Sequence, residues 1–282
     1  MKPRLTIAVL AVLMTTACTD DAPTKSPADP SSKAQSAETR AWQEFNEASD
    51  LPAVALRPTR LPKVPQGFTR PEQQFFASEL VDLTQRSIDP ALSALPAGAA
   101  VDEVLSVVEP LTREDYRKRN QPKSGGGAQM GWHLASRFAP EPTVPPRVVK
   151  VSWRSRSFPG RLEDGTAERY LTVWLQVHVR QEVETPDGPR AIVVQRTLSL
   201  SGFRPLTTAA GWSPGMGVSI RVWGVDACSV LDRSLFTPSS DVEDVQDSVN
   251  PVEKALSSKV FENSSESQDT TKKQMGCEQE KA

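Results

Sequence analysis

The chain is poor in the residue types that carry catalysis or hold metals: two histidines, three cysteines and two tyrosines in 282 residues. His133 and His178 lie 45 residues apart and no two cysteines stand at ligand spacing, so neither a metal centre nor a cofactor is expected. Long apolar runs are missing too. Leu5 to Met14 covers about half of the roughly 20 residues that a bilayer-spanning helix requires, and no second candidate span follows. A net charge of -2 provides no strong basic field, which argues against a nucleic-acid partner. What remains, 38% hydrophobic residues with 24 prolines, fits one globular core carrying polar, proline-rich extensions.

Charge is distributed unevenly. Residues 145–235 hold 12 basic against 8 acidic side chains, and residues 236–282 carry a net charge of -5. A mildly basic segment of this kind could meet anionic lipid or wall polymer, but such a balance is more often ordinary solvated surface.

The N-terminus carries the most specific pattern. Lys2 and Arg4 precede the apolar run, and Thr15, Thr16 and Ala17 lead into Cys18, the order of an export signal. Thr15-Thr16-Ala17-Cys18 resembles the lipobox of bacterial lipoproteins, with Thr15 where family members usually have Leu. That resemblance implies a diacylglycerol on the Cys18 thiol and attachment to the outer face of the cell membrane. An ordinary secreted protein without lipid is the alternative. Residues 19–40, rich in Asp, Ser, Pro, Ala and Lys, read as a disordered tether.

Residues 41–67 continue as an irregular arm, in which Trp42 and Phe45 are followed by Pro52, Pro58, Pro62 and Pro65. From residue 68 to 236 a single α+β domain is expected. Thr69 and Glu72 form a capping box, and Phe76, Leu80 and Leu83 make a helical stripe. A second helix starts near Ala99, with Val101, Val104, Leu105 and Val108 on one side, and is expected to end at Pro110. Thr112 and Asp115 cap a further turn containing Tyr116, and Gly125-Gly126-Gly127 is a linker. Beyond Arg147 the period becomes two. Segments around Val149–Trp153, Leu171–Val179, Ile192–Leu200 and Val218–Val222 read as four strands, with a hairpin at Pro186–Pro189. Residues 237–282 read as an acidic, mostly disordered tail with a faint helical signal from Val252 to Phe261.

Helices followed by long strands predict helices packed on one face of a curved antiparallel sheet. This order resembles the cone of the nuclear transport factor 2 and ketosteroid isomerase-like superfamily, which exported actinobacterial lipoproteins use; a small β-sandwich or a lipocalin-like half barrel is the alternative. The resemblance implies a pocket at the open end of the cone. Its candidate residues are Tyr116, Tyr170, His178 and Asp226, with Trp174 as an apolar wall.

Two further features need weighing. Gly211-Trp212-Ser213-Pro214-Gly215 matches a hydrolase elbow, but Pro214 has no N–H for an oxyanion hole, a strand pattern follows it, and both histidines precede Ser213. It reads as a turn. Cys228 and Cys277 would face an oxidising compartment and could be joined, tying the tail to the end of the last strand; a small buried hydrophobe is the other reading of Cys228. The functional expectation is a membrane-anchored, non-enzymatic envelope module that binds a small apolar ligand or an envelope protein. An isomerase or dehydratase working by acid–base chemistry in a cone-shaped pocket is the alternative.

Overall fold

The computed structural model describes residues 30–57, 60–108, 110–119, 131–161, 165, 167–203, 215–259 and 261. Seven α-helices, one short 3-10 helix (Pro90–Ala94) and four strands are found among them: α1 (Pro30–Ser49), α2 (Arg70–Ser87), α3 (Ala97–Leu105), α4 (Pro110–Arg119), α5 (Gly131–Leu134), β1 (Arg147–Arg161), β2 (Ala167–Thr185), β3 (Gly188–Phe203), β4 (Gly215–Trp223), α6 (Ala227–Arg233) and α7 (Val242–Ser257). The fold is α+β. None of these helices is long and apolar enough to cross a membrane.

The strands form one antiparallel sheet in the order β1-β2-β3-β4, each paired with its neighbour in the chain. Alternation explains the pairing. Leu171, Val173, Leu175, Val177 and Val179 of β2 all point to one face and are buried. The expected hairpin joins β2 to β3, where Gly188 takes φ +113° and Thr185 Oγ1 donates to the Gly188 carbonyl at 2.7 Å. Pairing between β1 and β2 shifts once, at a bulge between Val148 and Lys150.

On the aliphatic face sit α2, α3 and the residues after α5. Thr69 caps α2: its N–H donates to Glu72 Oε2 at 2.6 Å while its Oγ1 accepts from the Glu72 N–H. This directs Phe76, Leu80 and Leu83 onto Leu171, Val173 and Leu175, and all six are fully buried. The second helix is shorter than its pattern. It stops at Leu105, and Pro110 opens α4 instead of ending α3, since a first-turn residue needs no N–H partner.

The flanks differ from the compositional reading, because each carries a helix. Pro30–Ser49 and Val242–Ser257 pack together as α1 and α7 over one end of the opposite face of the sheet. Trp42 and Phe45 meet Val245, Val252 and Leu256, and the pair of helices covers Val149, Ala191, Val193 and Trp223. Gly224 allows this close approach: a Cβ there would lie 2.9 Å from the Ala191 carbonyl and 3.0 Å from the Phe45 ring. Residues 50–57 and 60–69 contain neither helix nor strand, and this stretch is held to β1 by the Val54 N–H donating to the Val148 carbonyl at 2.8 Å.

Candidate functional site

Beyond the patch that α1 and α7 cover, the second face of the sheet changes character. The pairing sets four cross-strand rows on it: Lys150, His178, Gln195 and Arg221; Ser152, Gln176, Thr197 and Ser219; Arg154, Trp174, Ser199 and Gly217; Arg156, Thr172, Ser201 and Gly215. Among these sixteen positions there is no aliphatic side chain and no carboxylate. The rows are stitched by side chains. Gln176 Nε2 donates to Thr197 Oγ1 at 3.0 Å, His178 Nε2 to Gln195 Oε1 at 3.1 Å, and the Thr172 and Ser201 hydroxyls share a bond of 2.7 Å.

Aromatic rings border the far end. Phe158 stacks on Tyr170, Trp174 meets Phe158 edge-on, and Phe203 meets Tyr170 the same way. The Arg154 guanidinium lies between two rings, 5.8 Å from the Trp174 centroid and 5.9 Å from that of Phe261. Loss of solvation and the neighbouring Arg156 both lower the Arg154 pKa. Arg156 is exposed. At the opposite end Lys150 donates to the Ala255 carbonyl in the last turn of α7, a position that suits a cation.

The structure disperses the residues proposed for a cone pocket. Between helices and sheet lies packed apolar core, and Tyr116 is the only one of the five inside it, its pKa pushed up to about 12 by burial. Tyr170, Trp174 and His178 are strung along the other face of β2. His178 is 1% exposed and stacks on Trp223; burial first, then the charge of Lys150, lower its pKa to about 4, and its Nδ1 has no partner. Asp226 caps α6, accepting from the Cys228 and Ser229 N–H groups and from the Ser229 hydroxyl. Neither His178 nor Asp226 hydrogen-bonds a tyrosine, the arrangement that acid–base chemistry in a shared pocket would call for.

Cys228 is exposed and disulfide-bonded, so it is not a buried hydrophobe. Cys18, Cys277, Ser213 and Gly125–Gly127 lie outside the described residues. Among the described residues no group of histidines, cysteines and carboxylates is placed to hold a metal ion.

Two arrangements escaped the sequence reading. One is the polar face itself, which becomes visible only when the other parity of all four strands is read together. The second is Arg196, fully buried on the apolar parity of β3 between Val194 and Leu198. It donates from Nε to the His133 carbonyl at 2.9 Å, from Nη1 to Ser87 Oγ at 2.8 Å and from Nη2 to Ser136 Oγ at 3.1 Å. No carboxylate pairs with it, and burial lowers its pKa to about 10. A charged residue in an otherwise aliphatic strand register was the signal available for it. A separate cleft of about 610 Å³ beside α2 is lined by Arg57, Arg60 and Arg70 over Leu61, Ala77 and Val81.

No protein-family model, curated protein or solved structure matches this chain.

Proposed function

We propose that this chain is an envelope lipoprotein, anchored on the outer face of the cell membrane through Cys18, and that its α+β domain is a non-enzymatic binding module. The polar face of the sheet is its binding surface. The observation that carries the binding role is the set of sixteen adjoining positions occupied by cations, hydroxyls, amides, two glycines, His178 and one indole, with no carboxylate among them; Thr172, Gln176, His178, Gln195 and Thr197 are buried, and the accessible part lies around Arg154, Arg156, Trp174, Ser199 and Gly217. A β-sheet face left to ordinary solvation usually mixes charges of both signs.

The disulfide on Cys228 supports the compartment, since such bonds persist outside the reducing cytosol. With Cys18 acylated, Cys277 is the remaining cysteine of the same chain for Cys228. The isomerase-like alternative loses its support, because its acid–base candidates are spread over the core, the opposite face and a helix cap.

Mass spectrometry of protein extracted from membranes tests the proposal. The expected mature N-terminus is Cys18 bearing a diacylglycerol mass, and Cys18→Ser should move the protein to the soluble fraction. The same sample reads any molecule that co-purifies, and R156E should release it. An unprocessed N-terminus without acyl mass overturns the anchor; retention of the co-purified molecule by R156E overturns the choice of face.

A further inference from the structure

We infer that the cleft beside α2 binds a phosphate monoester through Arg57, Arg60 and Arg70, with the organic body of the ester resting on the apolar floor. This site is separate from the polar face of the sheet and does not rest on the reading of that face.

The chain that precedes α2 builds the cleft. Leu56 packs against the core that α2 shares, and the Pro62 carbonyl accepts from Arg70 Nη1 at 2.9 Å and from Gln73 Nε2 at 3.3 Å. Gln73 Nε2 also donates to Ser155 Oγ at 2.6 Å, which ties the junction to β1. Between these two attachments Arg57, Arg60 and Leu61 line, with one side of α2, a cleft of about 610 Å³.

Charge is the first argument. Of the eight described residues that line the cleft, three are arginine and none is acidic. Arg57 and Arg60 are exposed and make no hydrogen bond or ion pair among the described residues. Arg70 gives Nη1 to the Pro62 carbonyl and, at 2.6 Å, to Gln73 Oε1, both neutral acceptors that leave its charge in place. Asp82, one turn further along α2 than Ser78, does not line the cleft and pairs with none of the three.

The ligand class follows from donor geometry, charge and size. A guanidinium presents paired N–H groups that match the oxygens of a phosphate or carboxylate. Three of them on one cleft favour a phosphate monoester, which carries close to two charges at pH 7, over a sulfate ester or a carboxylate, which carries one. The volume lies within the roughly 300–1,000 Å³ of sites for small organic ligands, more than bare phosphate fills. Ala77 and Val81 are buried and Leu61 half-buried, so they form an apolar floor for the body of the ester. Gln74 and Ser78, exposed one turn apart on α2, add donors and acceptors at the rim. No aromatic ring is among the lining residues, so a stacked nucleobase is not favoured.

Calorimetric titration of the full chain in neutral detergent tests the inference, with phenyl phosphate as the probe and inorganic phosphate and phenyl sulfate beside it. Phenyl phosphate should bind saturably, at least about threefold more tightly than either. R57Q/R60Q should weaken it about tenfold and R60Q alone roughly threefold, at an unchanged denaturation midpoint because both positions are exposed and unpaired. R156Q, the same charge change on the polar face of the sheet, should leave the affinity within about twofold. Phosphatidate added to the detergent separates the sources: displacement of phenyl phosphate assigns a lipid headgroup, retention assigns a soluble ester, and either upholds the class. No binding of phenyl phosphate, equal affinity for phenyl sulfate or inorganic phosphate, or unchanged affinity in R57Q/R60Q each overturns the inference. So does a loss in R156Q as large as that in R57Q/R60Q, which would move the phosphate to the sheet.

Discussion

At the scale of single residues the two histidines do opposite work from what their rarity invites. His178 is buried and His133 half-buried, and both pKa values are lowered to about 4, that of His178 by loss of solvation and Lys150, that of His133 by loss of solvation and Arg196. A histidine whose folded pKa lies below its unfolded value of 6.5 favours the neutral form on folding. Its contribution is complete above about pH 6.5 and is lost as pH falls towards 4, because the unfolded chain takes up the proton first. Each shift corresponds to about 3 kcal/mol at most. Chemical denaturation at pH 7 and pH 5 should therefore show a clear acid loss of stability, and His178→Asn should remove about half of that loss. Arg196 is the harder case. Replacing it with Met keeps much of the stem volume but leaves the His133 carbonyl and the Ser87 and Ser136 hydroxyls without their donor. A cost of about 3 kcal/mol is expected, read as a lower denaturation midpoint at unchanged slope. Neither burial was legible from the sequence. Arg196 has the charge of a surface residue, and only its register beside Val194 and Leu198 marks it as internal.

At the scale of elements, local chemistry was legible wherever it is local. Thr69 and Glu72 announce α2 because both halves of the capping box lie within one turn, and Thr69→Ala should cost about 1 kcal/mol. The strands are longer than their alternation, since pairing with a neighbour extends β2 to Thr185 and β3 to Phe203 beyond the aliphatic stretches. Residues 30–49 were illegible as a helix. Their few apolar side chains, Ala41, Trp42 and Phe45, make a short stripe whose burial depends on α7, some 200 residues later. Phe45 is fully buried, so Phe45→Ala should destabilise the whole domain by about 3–5 kcal/mol. A substitution in an unpacked tether would leave the midpoint unchanged, and the denaturation curve separates the two.

At the scale of the whole molecule, the proposed lipid anchor and the disulfide are linked by cysteine arithmetic. If Cys18 carries lipid, non-reducing peptide mapping of the monomer should recover Cys228 joined to Cys277, and Cys18→Ser should leave that peptide pair unchanged. By itself the sequence determined what one segment can decide: an export-like N-terminus from a charge, an apolar run and a thiol in order, a capped helix, four alternating strands and the α+β class they imply. Only the tertiary structure decided which residues share a surface. It gathered Lys150, Arg154, Arg156 and Arg221 with Trp174 onto one face, and removed Tyr116 and Asp226 from the pocket proposed for them. The physical reason is that strand register, set by hydrogen bonds between residues up to about 30 apart, and helix docking, set by burial between residues far more distant, are collective. Neither is written in the neighbours of any one residue.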